Sequence, residues 1–151
     1  MIKASVSTQD ISRLSRKLMR TSQKMKREAA KDLAEGALNI RNEALERAPV
    51  DKGVLRGTIY FQKKRPNGLL WEVGANAKYA PYMEFGTGRK VNLRELIKAG
   101  LPTSYAAQFK GKGIREVNIQ PRPFLFPSVN NELPKLKKRI FKTIRRVGKE
   151  F

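Results

Sequence analysis

Ala48-Pro49-Val50-Asp51-Lys52-Gly53-Val54-Leu55-Arg56-Gly57 opens the stretch that decides the fold, and Tyr79-Ala80-Pro81-Tyr82-Met83-Glu84-Phe85-Gly86-Thr87-Gly88-Arg89 closes it. Pro49 presets one backbone dihedral, Asp51 can accept backbone hydrogen bonds and Gly53 can take positive φ, so the opening reads as a turn. Leu55, Gly57, Ile59 and Phe61 then alternate with Arg56, Thr58, Tyr60 and Gln62, which predicts a strand with one face toward a core. Asn67-Gly68 is a hairpin-turn signal. Beyond it Leu69, Trp71 and Val73 alternate with Leu70, Glu72 and Gly74 in a returning strand, with Trp71 expected in the core. Tyr79–Phe85 reads as a short helix that ends at Gly86. Gly86-Thr87-Gly88-Arg89 lacks both the spacing and the Lys-Ser/Thr of a phosphate-binding loop, so it reads as a turn followed by a basic residue.

Upstream, Ile11, Leu14, Leu18, Met25, Ala29, Leu33, Ala37, Ile40, Ala44 and Ala48 recur at steps of three, four and seven. That spacing keeps them on one stripe of a helix over residues 8–48. Ser7 or Thr8 can cap it, and Pro49 stops it. A helix this long would reach about 60 Å, more than the width of a small domain. Its first part, residues 1–25, is therefore a candidate to project or to bend, with a break near Thr21-Ser22-Gln23; the stripe reads first as that of a core helix, and the alternative is that residues 8–25 pack on a neighbouring subunit.

Downstream, Asn92 is placed to cap a short helix over Leu93–Ala99, and residues 90–113 otherwise read as a flexible loop insertion. Val117 and Ile119 alternate with polar residues in a third strand over 114–119. Gln120–Pro127 holds three prolines and reads as extended rather than helical. Val129, Leu133, Leu136, Ile140, Ile144 and Val147 then form the apolar stripe of a C-terminal helix. Pro134 either kinks it or starts its regular part. Lys135, Lys137, Lys138, Arg139, Lys142, Arg145, Arg146 and Lys149 make the remaining face basic. The order of elements predicts a single α+β domain over 1–151. In it a long N-terminal and a basic C-terminal helix pack on a small, mainly antiparallel sheet of three or four strands. So small a sheet leaves an edge that another chain can complete.

The 151 residues contain no Cys and no His. Disulfides, thiolate nucleophiles, Cys-based zinc sites and His-dependent triads are thereby excluded. Thirteen scattered acids form no constellation for a carboxylate–metal nuclease, so no catalytic, cofactor or metal residue is assigned. No apolar run is long enough to span a bilayer and no signal region opens the chain, which reads as a soluble, cytosolically made protein without a membrane partner. Thirty-three Lys and Arg against 13 Asp and Glu give a net charge of +20, spread along the whole chain. Such a charge favours polyanions or acidic protein surfaces.

Three blocks taken together resemble the head–tail joining group of tailed bacteriophages, which includes neck, head–tail connector and tail-completion proteins. They are Arg47–Ile59; Val73-Gly74 with Tyr79–Gly88; and Arg122-Pro123-Phe124-Leu125-Phe126-Pro127. Lys52 stands where Thr or a small residue is usual, and Ser128 where Ala is. The resemblance implies a non-enzymatic virion protein at the head–tail junction, assembled in the host bacterial cytoplasm. It implies a ring of six- or twelve-fold symmetry around the channel through which DNA leaves, in contact with other connector and tail proteins; passing duplex DNA is a candidate partner that the resemblance leaves open. It also implies structural roles for Pro49, Asp51, Gly53, Leu55, Arg56, Tyr79, Ala80, Tyr82, Glu84, Phe85, Gly86, Thr87, Arg122, Pro123, Phe124 and Pro127. Glu84 and Arg56 are expected to tie the motif turns by a salt bridge. Arg89, Lys90, Lys135, Lys138, Arg139, Lys142, Arg145 and Arg146 are candidates to meet neighbours or DNA. The competing reading is a basic nucleic-acid-binding protein acting outside the particle, for which no known binding signature is present.

Overall fold

The computed structural model of the chain describes residues 8–50, 53–88, 91–98, 103–108 and 119–150. The first element, α1 (Thr8–Arg47), is a helix of 40 residues, about 60 Å long. It does not break at Thr21-Ser22-Gln23. Those side chains lie at or near the surface, where water satisfies them, and neither Gly nor Pro interrupts the helix there.

After Pro49 the chain turns back through Gly53, whose φ of 73° is a conformation that favours glycine. A single helical turn, α2 (Val54–Gly57), follows. The strand expected from Leu55 onward therefore begins only at Ile59. Leu55 and Ile59 are four residues apart, a spacing that suits one helical turn as well as a strand, and both are buried with Ala44, Ala48, Ala80 and Phe124.

The hairpin consists of β1 (Ile59–Lys63) and β2 (Trp71–Ala75), antiparallel with Phe61 opposite Val73 and Lys63 opposite Trp71. The described sheet has two strands, not three or four. Of the third strand expected at 114–119, residues 114–118 lie outside the described residues. Gly68, at φ 69°, lets the hairpin loop tuck close to α1: a Cβ there would sit 3.2 Å from that of Ala30. Trp71 is half-buried, stacked on Phe61 at 5.7 Å between ring centroids, and Arg41 of α1 lies over the Phe61 ring. The opposite face of the hairpin is polar: Tyr60 and Gln62 donate to one oxygen of Glu72 and Lys64 pairs with the other.

Three short helices follow: α3 (Ala80–Phe85), α4 (Leu93–Lys98) and α5 (Thr103–Ala107). As expected, Gly86 ends α3, and the Asn92 carboxamide oxygen accepts from the amides of Arg94 and Glu95 at the start of α4. No sequence signal had marked α5. The last element, α6 (Leu125–Lys149), is 25 residues long and runs through Pro134. It starts within the segment expected to be extended, and well before Pro134. It packs antiparallel on α1, as the pairings Lys24–Glu150, Gly36–Leu136 and Glu43–Asn131 show. Gly36 makes the close approach possible, because a Cβ there would stand 2.8 Å from a Leu136 methyl.

Candidate functional site

The motif residues build a joint between helix ends. Glu84, on α3, is buried. Its Oε2 accepts from the amides of Phe124 and Leu125 at 2.9 and 3.0 Å, and its Oε1 from that of Phe126 at 3.0 Å. The first four amides of a helix have no partner within it. For α6 these belong to Phe124, Leu125, Phe126 and Pro127. One carboxylate takes three, and proline has no N–H to leave unpaired. This explains how α6 starts inside a proline-rich segment, and it puts a negative charge at the positive end of the helix dipole.

Arg56 works at the other pole. Its Nε donates to the carbonyl of Ala48 at 3.2 Å and its terminal nitrogen to that of Glu46 at 3.4 Å, so a cation meets the C-terminal end of α1. The salt bridge expected between Glu84 and Arg56 is therefore not formed; each charge binds backbone at a helix end.

The second and third motif blocks also meet through main chain. Arg122 N donates to the carbonyl of Met83 at 2.7 Å, Thr87 N to that of Ile119, and Ile119 N to the Thr87 hydroxyl. Gly86, at φ 73°, lies so close that a Cβ would stand 2.8 Å from the Ile119 carbonyl oxygen. Phe124 is buried with Leu55, Ile59 and Ala80, and Phe126 packs on Phe85 at 5.8 Å. Tyr79, Tyr82, Arg122 and Pro123 are exposed, while Pro49 and Pro127 are half-buried. Asp51, Arg89 and Lys90 lie outside the described residues.

This joint fixes α6 against α1 and, among the described residues, leaves two helix surfaces uncovered. The last ion pair between the two helices joins Lys24 to Glu150. Upstream of it α1 projects about 24 Å. On this arm residues 11–20 are all exposed, and Ile11, Leu14 and Leu18 are 51–59% exposed. They continue the stripe of α1 that carries Met25, Gly36 and Asn39 against α6 lower down.

The second surface is the outside of α6. Its buried line is Ser128, Glu132, Leu136, Thr143 and Val147 rather than the purely apolar stripe expected. Leu133 and Ile144, assigned to that stripe from their spacing, are 40% exposed, and with Phe141 at 65% they form an outer apolar band. The buried Glu132 is tolerated because Arg139, at 2.5 Å, and Asn39, at 3.1 Å, both donate to it. Arg139 also pairs with Glu35, and Arg146 with Glu28 at 3.6 Å. Two of the cations proposed to face outward thus belong to the α1–α6 seam. Lys135, Lys138, Lys142, Arg145 and Lys149 stay exposed and form no ion pair among the described residues. The outer band could have been suspected from Phe141, which falls outside the apolar stripe of α6.

Among the described residues no group of acidic side chains converges as a metal site, and no helix is long and apolar enough to cross a membrane. Residues 12–86 match the family model described as "Bacteriophage HK97-gp10, putative tail-component". The match takes in most of α1, the hairpin and α3, hence the first motif block and the second through Gly86. The third block, which Glu84 binds, lies beyond it. No curated protein and no solved structure matches the chain.

Proposed function

We propose, for a chain that belongs over residues 12–86 to the HK97-gp10-like family of bacteriophage tail components, that it is a structural virion protein of the head–tail junction. Copies assemble into a ring that joins or completes the tail for attachment to the capsid and surrounds the path of the DNA. The ring is six- or twelve-fold, following the symmetry of the tail and connector proteins it meets. It is a scaffold and transforms no substrate.

The observation that carries this reading is the arm of α1. A stripe of Ile11, Leu14 and Leu18 that continues a buried helix seam into solvent lacks a cover from its own described chain. Exposed apolar surface of this kind marks a contact with another chain. The outer band of α6, with Leu133, Phe141 and Ile144, is a second such surface of different shape. Two unlike patches on one chain make a head-to-tail contact, which closes into a ring when the rotation between neighbours allows. The joint at Glu84 and Arg56 holds the two helices in fixed relation, as a closing ring requires.

Deleting the coding sequence from the phage tests this. The expected lysate holds DNA-filled heads and separate tails, and supplying the protein in trans restores joined particles. Complete, infectious particles in its absence would overturn the reading.

A further inference from the structure

We infer that the outward row of cations on α6 is a docking surface for the backbone of duplex DNA. Lys135, Lys138, Lys142, Arg145 and Lys149 follow one another at steps of three, four, three and four. At 100° per residue they share an arc of about 80°, and at 1.5 Å per residue they span about 21 Å. All five are exposed.

The fold has sorted its charges to leave Lys138, Lys142, Arg145 and Lys149 without an ion pair among the described residues, while Lys135, at the start of the row, lies near Glu43 of α1. Glu132 and Glu150, the two acids within residues 121–151, both turn toward α1: Glu132 accepts from Asn39 of α1 and pairs with Arg139 of its own helix, and Glu150 pairs with Lys24 of α1. Arg139 and Arg146, on the edge facing α1, are matched by Glu35, Glu132 and Glu28. The row therefore presents cations along one helical face, flanked on one side by the exposed Phe141. Specific protein–protein interfaces are depleted of charge at their centre, whereas surfaces that bind duplexes are strongly positive. A 21 Å length of duplex carries about 12 phosphate charges, regularly spaced, so five cations in line can each meet one. Contacts of this kind position a duplex and carry no base preference, so a bound duplex can slide along the row.

The inference deepens the head–tail reading and rests on it for the reason that a duplex passes this face. It differs from that reading in its surface and in the sign of its salt dependence, so either can fail alone. The test is fluorescence anisotropy of the full-length protein with a random-sequence duplex of about 30 base pairs, between 50 and 200 mM salt. Five phosphate contacts predict a log–log slope near −4.5, a loss of about 500-fold over that range. The K138Q/R145Q double variant should flatten the slope by about 2, so that the loss falls to about 40-fold. A control that removes two cations from the hairpin, K63Q/R65Q, should leave the slope as in the natural chain. Equal flattening by both variants would mean that diffuse charge does the binding, and would overturn the proposal. So would displacement of the duplex by polyglutamate at the same charge concentration as by unlabelled DNA, which would assign the row to an acidic protein.

Discussion

Glu84 shows how one side chain can decide where an element begins. Three amides of α6 converge on its buried carboxylate. Glu84→Ala would strand them away from water, at a cost of about 2–4 kcal/mol. Glu84→Gln keeps one acceptor oxygen and should fall between. Urea unfolding measures both, and a loss under about 0.5 kcal/mol for the alanine variant would contradict the capping role. Glu72 offers a pH test. Hydrogen bonds from Tyr60 first, then from Gln62 and Lys64, hold its carboxyl down to about 2. A depressed carboxyl favours the folded state above its ordinary value of 4.5, and that contribution fades as pH falls from there to about 2. In Tyr60→Phe the titration midpoint of Glu72, read from its carboxyl carbon by NMR, should rise. An unmoved midpoint would refute the assignment. The partner of Glu84 was not legible in the sequence, because backbone amides leave no letter. Arg56 was the obvious opposite charge, yet a helix-end carbonyl suits it too. A clue did stand in the sequence: a helix whose first turn contains Pro127, with no Ser, Thr, Asp or Asn at its start, needs an acceptor from elsewhere.

At the scale of elements, the α1–α6 seam turns on Gly36 against Leu136. Gly36→Ala gains about 1 kcal/mol of helix propensity but drives a Cβ to 2.8 Å from Leu136, at a cost of about 1–3 kcal/mol. In the Leu136→Ala background the obstruction is gone, and the same change should stabilise. The two backgrounds should differ by more than about 1 kcal/mol in thermal or denaturant unfolding, and equal effects would refute close packing there. The helices α1, α3 and α4 were legible because spacing and caps agreed: an apolar stripe ended by Pro49, a Gly stop at Gly86, an Asn cap at Asn92. The start of β1 was not, since Leu55 and Ile59 satisfy either period. The start of α6 was not, because prolines are tolerated in a first turn whose amides bond outside the helix. By spacing alone the apolar positions of α6 form one face. In the fold it splits between a buried line with polar members and an exposed band, because Asn39 of α1 and Arg139 of α6 make Glu132 acceptable inside.

For the whole molecule, charge and apolar surface pull in opposite directions. Each copy carries +20, so copies repel, while the α1 arm leaves Ile11, Leu14 and Leu18 exposed. Contact between copies through apolar surface should therefore strengthen as salt rises, and DNA binding should weaken. The arm lies outside the core, so L14D/L18D should abolish association and leave the unfolding midpoint within about 2 °C of the natural chain, as surface changes do. Circular dichroism melts and gel filtration check the two halves of that statement. The α+β class and the two-helix frame were legible from periodicity alone; the strand count, which depends on which segments meet, was not. The most direct test of the ring is the solution mass of the purified protein by light scattering between 0.1 and 1 M salt, where the Debye length falls from about 10 to about 3 Å. The account predicts a mass that climbs with salt to a fixed six- or twelve-fold multiple of the monomer, and that L14D/L18D holds at the monomer throughout; a monomer at every salt concentration, or a mass that falls as salt rises, would contradict it.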